Sequence, residues 1–139
     1  MTERSFIDFV NEESKNTLME TLNIQFLEAS ADRVIATMPV DSRVHQPDGI
    51  LHGGASVALA ETVGSFAAAL SINRETHSVR GIEISANHLK SIRGGLVTAT
   101  AIPLHKGRTT QLWEIRITDE KENLISLCKL STMVITNKS

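Results

Sequence analysis

The sequence predicts an α+β chain in which a curved antiparallel β-sheet wraps around one long central helix. Three observations predict it. The run from Ala55 to Leu70 holds no proline and a single charge, Glu61, and a helix that is apolar all round is one buried on every side. Four strand-like runs follow that helix, each joined to the next by a short turn, which favours antiparallel pairing. Two further alternating runs precede it around the turn Ser30-Ala31-Asp32 and read as a hairpin. A chain of 139 residues fits one domain, 1–139, with enough length for one sizeable core.

At the N-terminus, Ser5 is expected to cap a helix running to about Glu20, with Asp8 completing an approximate capping box. Phe6, Phe9 and Val10 form an apolar stripe, and Leu18 and Leu22 follow at helical spacing, so 1–20 reads as a short accessory helix on the domain's edge. Leu22, Ile24 and Phe26 alternate with Asn23 and Gln25, and Arg33 to Val40 supplies the second strand of the hairpin. Pro47, Asp48 and Gly49 are turn residues, and His52-Gly53-Gly54 makes a flexible entry to the long helix. At 3.6 residues per turn, Leu59, Val63, Phe66 and Leu70 share one face, read as core. Gly54, Ala58, Glu61, Gly64, Ser65 and Ala68 share the opposite face, where small side chains let another body come close. After a polar turn at Asn73 to Thr76, Ser78 to Leu89 alternates, with Ile82, Ile84, Ala86 and His88 on one side. Gly95 to Leu104, Thr110 to Thr118 and Leu124 to Thr136 complete the strands; in the second, Trp113, Ile115 and Ile117 oppose Glu114 and Arg116.

Composition excludes several function classes. A net charge of -2 offers no bulk attraction to nucleic acid. The lone cysteine, Cys128, rules out an internal disulfide and suits a reducing compartment. MTERSFIDF lacks the basic start and apolar block of a signal peptide. The long helix is too rich in small residues, and carries Glu61, for a membrane span. A soluble, cytoplasmic chain with no membrane partner is expected. There is no HExxH and no paired cysteine, and the five histidines show no ligand spacing, so no metal is expected. Neither a GxSxG elbow nor a GxGxxG or P-loop is present.

The run from Gln46 through His52-Gly53-Gly54 to Ala60-Glu61-Thr62-Val63-Gly64-Ser65 resembles the hotdog-fold acyl-CoA thioesterases. Within them it is similar to the aryl-CoA branch of phenylacetate-pathway, enterobactin-proofreading and dihydroxynaphthoyl-CoA thioesterases. The likeness covers nearly the whole chain, including the NHLKSI strand end and the LHKGRTTQLWEI hairpin. It implies the hotdog fold, hydrolysis of an aromatic or medium-chain acyl-CoA to acid and CoA, and pairing into homodimers and then a homotetramer, with active sites at the dimer interface. CoA belongs to the substrate, and no cofactor is implied. In the family picture Glu61 is nucleophile or general base, and the Gly53 N–H polarises the thioester carbonyl. Gln46 and His52 hold the carbonyl or the water, Ser65 orients the water or the substrate ring, and His88 lies near the acyl and pantetheine groups.

The residues support such chemistry in their own right. An isolated carboxylate is costly to bury, and the small neighbours of Glu61 mark a crevice rather than an exposed helix face. Perturbed carboxylates cluster at functional sites. The N–H groups at a helix start are unpaired and sit at the positive end of the dipole. Gly53 and Gly54 have no Cβ to keep a carbonyl away from them. One lost donor of an oxyanion hole costs about 3 to 4 kcal/mol of barrier. Glu61 could attack the carbonyl or activate a water. A rise of ~1.5 Å per residue puts it about 12 Å from Gly53, too far for one thioester to touch both, so two chains with antiparallel helices are required.

Each assignment has a plainer counterpart. His52 also has a lesser reading as a helix-entry residue, while Ser65 reads equally as a hydroxyl bonded back to its own helix and His88 as an ordinary strand histidine. His45, His77 and His105 read as surface residues. Arg80, Lys90, Arg93, Lys106 and Arg108 are candidates for the CoA phosphates, with Gly54 and Gly81 placed among the substrate-binding residues. Two other functions share the fold class: a dehydratase acting on hydroxyacyl carriers, and a non-catalytic acyl-binding domain. The HGG-to-Glu spacing opposes the first, and intact Glu61, Gln46 and His52 oppose the second. With four Phe, one Trp and no Tyr, no stacking platform for a substrate ring is visible.

Overall fold

Alternating apolar residues build six strands, β1 (Gln25–Ala29), β2 (Val34–Pro39), β3 (His77–His88), β4 (Leu96–Lys106), β5 (Thr110–Thr118) and β6 (Leu124–Thr136). They form one antiparallel sheet in the order β1-β2-β4-β5-β6-β3 in a computed structural model that describes residues 2–138. The long helix, Gly53–Leu70, packs against β2 through β6. Two short helices, α1 (Glu3–Glu13) and α2 (Leu18–Thr21), precede β1, so the long helix is α3. The predicted antiparallel sheet around one central helix is the architecture observed, but β3 does not pair with β4 as its short connection suggested. Residues 89–95 cross over, so that β3 pairs with β6 at one edge and β4 with β2.

The core lies between α3 and the sheet. Leu59, Ala60, Val63 and Ala67 of α3 are fully buried against Met38, Val97, Trp113, Ile115 and Leu130. The apolar surface removed from water here stabilises the fold by roughly 25 cal/mol per Å². The single buried indole N–H is met by Gln111, whose Oε1 accepts from Trp113 at 2.8 Å. By length and composition α3 could cross a membrane, but its apolar stripe is engaged by the sheet.

The buried face of α3 is rotated from the one predicted. A Cβ added to Gly64 would lie 2.8 Å from Leu130 Cδ2 and 3.1 Å from Ile115 Cδ1, so the helix rests directly on the sheet there. Gly64 and Ala68 are therefore buried, while Phe66 and Leu70 are only half-buried. Ala58, Glu61 and Ser65 keep the outward face.

Three local expectations change for identifiable reasons. Thr2, not Ser5, caps α1, its hydroxyl accepting from the Ser5 N–H at 3.1 Å. The expected helix to Glu20 is two helices. Ser14 Oγ turns back to Val10 O at 2.9 Å, and Asn16 takes a left-handed φ of 62° that a continuous helix cannot hold; α2 restarts under the Thr17 cap. In β3, pairing slips between Gly81 and Glu83 against β6, leaving Ile82 as a bulge with 55% of its surface exposed. The slip reverses the alternation, so Gly81 and then Ile84, Ala86 and His88 face the helix side without Ile82.

Cys128, fully buried in β6, has its thiol pushed up from an ordinary 9.0 to about 11 by desolvation. The thiolate is the reactive form, so Cys128 should be inert to a disulfide reagent at pH 8 and react once the chain is unfolded in urea. The folded chain keeps a proton that the unfolded chain releases, so stability should fall as pH rises through 9 toward 11. Urea midpoints should show Cys128→Ser without that part of the loss.

Candidate active site

The entry to α3 is held by a network of main-chain bonds. Gln46 N–H donates to Ile50 O at 2.8 Å, Leu51 N–H to Ile92 O at 2.8 Å, and His52 N–H to Val44 O at 2.8 Å. Gly49 takes the φ of 76° that closes the turn. Arg93 donates to Asp48 O at 3.1 Å, and its own carbonyl meets His45 Nε2 at 2.7 Å. Arg93 and His45, read as a phosphate ligand and a surface residue, are thus bracing for this loop. Gln46 accepts from the Asp48 N–H.

The four N–H groups that a helix start leaves without intrahelical partners can be followed one by one. That of His52 goes to Val44 O, that of Gly54 to His52 Nδ1 at 2.8 Å, and that of Ala55 to His52 O at 3.0 Å. Only the Gly53 N–H has no partner among the described residues. His52 is the N-cap, its side chain accepting one bond and its carbonyl two, from the N–H groups of Ala55 and Ser56. Since its Nδ1 accepts, the neutral ring carries its proton on Nε2. A Cβ on Gly54 would lie 2.9 Å from that ring, so Gly54 is part of the cap.

His88 closes over the same helix start. Its Nδ1 is 2.7 Å from Ser126 Oγ, a fully buried hydroxyl. Its Nε2 faces Gly53, where an added Cβ would lie 2.8 Å away. The missing side chain at Gly53 therefore admits an imidazole as well as any ligand. Gln46, Gly53, His88 and Lys90 line one cleft of about 290 Å³.

Glu61 lies in a different cleft, of about 790 Å³, which shares no lining residue with the first. Its carboxylate makes no hydrogen bond or ion pair among the described residues, and a Cβ on Gly81 would lie 3.1 Å from its Oε1. Gly81 thus stands beside the carboxylate. Ser65 opens into this cleft and donates to no carbonyl among the described residues, whereas Thr62 bonds back to Ala58 O at 2.7 Å.

The aromatic lining of this cleft is what sequence reasoning missed. Phe26 lies 4.8 Å from Phe66 at 51°, Phe6 lies 6.3 Å from Phe66 at 20°, and Phe9 lines the groove with half its surface exposed. All four phenylalanines of the chain gather at one place. The stripe of Phe6 and Phe9 was the available signal. The helix that carries it is a wall of the groove as well as an edge element.

The basic residues do not converge. Lys90 lines the Gly53 cleft and approaches Asp119 at 3.6 Å. Lys106 pairs with Asp32 at 2.9 Å and sits 5.5 Å above the Trp113 ring. Arg80 donates to Val79 O at 2.9 Å and lines a small pocket with Arg74 and His77. Arg108 is exposed in the β4–β5 turn, as is His105 at the end of β4. Among the described residues no group of three or more His, Cys, Asp or Glu could hold a metal ion.

Comparison with known proteins places this geometry. Residues 48–126 match the family model of the Thioesterase superfamily. The chain is 46% identical to the proofreading thioesterase EntH of Cronobacter turicensis, over 93% of each chain. Among solved structures, a variant of thioesterase PA1618 from Pseudomonas aeruginosa superposes with a TM-score of 0.91 at 40% identity, covering 94% of both chains. Thioesterase HI1161 from Haemophilus influenzae gives 0.89 at 43%, covering 94% of this chain and 90% of that one. The fold shared with these thioesterases is the hotdog fold.

Replacing His52 by Ala removes the acceptor for the Gly54 N–H and should cost about 1 kcal/mol of stability. His52→Asn, which keeps a capping oxygen, should recover most of it. Urea denaturation of the two variants checks this.

Proposed function

The chain belongs to the thioesterase superfamily and is a thioester hydrolase, and we propose that it cleaves aryl acyl-CoA thioesters in a site completed by a second copy of itself. One observation carries the reading. An unpartnered carboxylate, Glu61, faces an aromatic-lined groove of about 790 Å³, while the one unpaired N–H of the same helix lies in another cleft.

The chemistry follows from the two groups. The thioester carbonyl accepts from the Gly53 N–H of one subunit, where the helix dipole favours the negative charge that develops on oxygen. Glu61 of the other subunit takes a proton from water as the water oxygen bonds to the carbonyl carbon. The tetrahedral intermediate then collapses, the C–S bond breaks, and the CoA thiolate leaves and is protonated. Direct attack by the carboxylate would reach the same products through an anhydride. Ser65, free of its own helix, is placed to hold the water or a ring substituent.

The acyl group lies among Phe9, Phe26 and Phe66, and offset or tilted ring contacts there favour an aromatic acid over an aliphatic one of equal size. Gln46, His88 and Lys90 line the cleft through which the pantetheine would leave. CoA enters as part of the substrate, so no resident cofactor is invoked, and a cytoplasmic dimer or tetramer is the working form. The name of the EntH relative, a proofreading thioesterase, supports hydrolysis rather than hydration or mere acyl binding.

Two measurements test the reading. Thiol release from benzoyl-CoA should fall by about 10²- to 10⁴-fold in Glu61→Gln; release at the wild-type rate would remove Glu61 from the mechanism. Gly53→Val and Glu61→Gln, each inactive alone, should recover about a quarter of wild-type activity when unfolded together and refolded. Each mixed dimer then holds one site with both wild-type groups. If both groups acted within one chain, mixing would restore nothing.

A further inference from the structure

The wall of the acyl groove opposite α3 is built by α1 and α2, and one side chain ties it to the sheet by hydrogen bonds. β1 is an edge strand, so its outward main-chain groups need partners from elsewhere. At Phe26 both are met from the last turn of α1. The Phe26 N–H donates to Asn11 Oδ1 at 2.8 Å, and Asn11 Nδ2 donates to Phe26 O at 3.1 Å. A carboxamide carries a donor and an acceptor side by side, so Asn11 stands where the backbone of a further strand would stand. Among the described residues these are the only hydrogen bonds between α1 and the sheet. The other anchors of α1 are apolar, with Ile7 and Val10 buried and the Phe6 ring on Phe66.

The groove's aromatic rings lie on either side of this tie. Phe26 is the residue held, and its ring leans on Phe66. Phe9 precedes Asn11 by two residues and faces the groove. Apolar contacts are non-directional and tolerate sliding or rolling of a helix. Two hydrogen bonds to one residue do not. They fix how far α1 lies along β1 and which way it is turned, and hence the spacing between Phe9 and the α3 face that carries Glu61, Ser65 and Phe66.

We infer that Asn11 is a positioning residue for acyl-group specificity: it holds the α1 wall at a spacing that admits a flat ring and disfavours a flexible chain. The inference rests on the reading that the acyl group occupies the groove beside Glu61. Asn11 itself touches no substrate. With the tie cut, α1 keeps its apolar contacts but loses its register, a ring loses its contact with Phe9, and an alkyl chain fills the widened slot.

The test compares the full-length wild type with Asn11→Ala, Asn11→Asp and Asn11→Gln. Asn11→Asp keeps the acceptor but turns a carboxylate oxygen toward Phe26 O, whereas Asn11→Gln keeps both groups on a longer arm. The readout is the ratio of kcat/KM for benzoyl-CoA to that for decanoyl-CoA, which does not depend on the fraction of chain that is folded. The ratio should fall about tenfold or more in the Ala and Asp variants, through a raised KM for benzoyl-CoA at nearly unchanged kcat, and recover in part with Gln. A ratio within twofold of wild type in both the Ala and Asp variants would overturn the proposal. If the wild type fails to cleave benzoyl-CoA, or Glu61→Gln cleaves it normally, the functional reading falls instead. Fluorine NMR of protein labelled with fluorophenylalanine then decides the role of Asn11. Asn11→Ala should shift or broaden the Phe9 and Phe66 signals, and unmoved signals would refute the wall.

Discussion

The close seat of α3 on the sheet is the constraint from which the rest follows. At Gly64 the helix has no room for a side chain, because Leu130 and Ile115 already fill the space a Cβ would take. Fixing that point of the helix fixes its rotation. Glu61, three residues earlier, is turned toward the sheet margin beside Gly81, and Ser65 opens outward. A helix rolled to bury Phe66 and Leu70 more fully would point the carboxylate elsewhere. On the proposed mechanism, close packing of interiors acts on function through the direction in which one acid points.

The same helix carries both chemically distinct groups and keeps them apart. At its start, three of the four orphan N–H groups are consumed, two of them by His52, and that of Gly53 has no partner among the described residues. Two turns on, the carboxylate has no partner among the described residues. Contrary to the expectation of a buried crevice, Glu61 is exposed in the single chain and Gly53 half-buried, so water can satisfy both and both stay available to a ligand or a second chain. A rigid helix cannot bend to unite them. The proposed pairing of two chains satisfies both at once, each helix supplying what the other lacks.

Much of this was legible in the sequence, and the boundary is physical. HGG followed by Glu61 within an apolar helix is a local pattern, and local patterns report on caps, turns and periodicity. The β4–β5 and β5–β6 hairpins were readable for the same reason, since short turns leave antiparallel pairing as the simple outcome. β3, by contrast, pairs with β6 rather than with its sequence neighbour β4, a long-range choice no local pattern reports. The convergence of Phe6, Phe9, Phe26 and Phe66 was not readable, because it joins α1, β1 and α3 across tertiary contacts. The same holds for Lys106, whose partner Asp32 lies in a distant turn, and for Arg93, whose carbonyl and guanidinium both serve the 45–49 loop. The bulge at Ile82 reverses the alternation of β3 from within. A period-two reading must miss it, since the residue that breaks the pattern is itself apolar.

The interlock of Gly53 with His88 has an evolutionary consequence. The imidazole occupies the space a side chain at position 53 would need, and Ser126 holds it there from beneath. A side chain at position 53 has no room while the imidazole stands where it does. A lineage that acquired a bulkier residue at 53 would first have to shrink or swing aside the one at 88, and the order of those two steps would decide whether the intermediate was viable. Descendants should therefore carry these positions as a linked set, with changes at one legible only beside changes at the others.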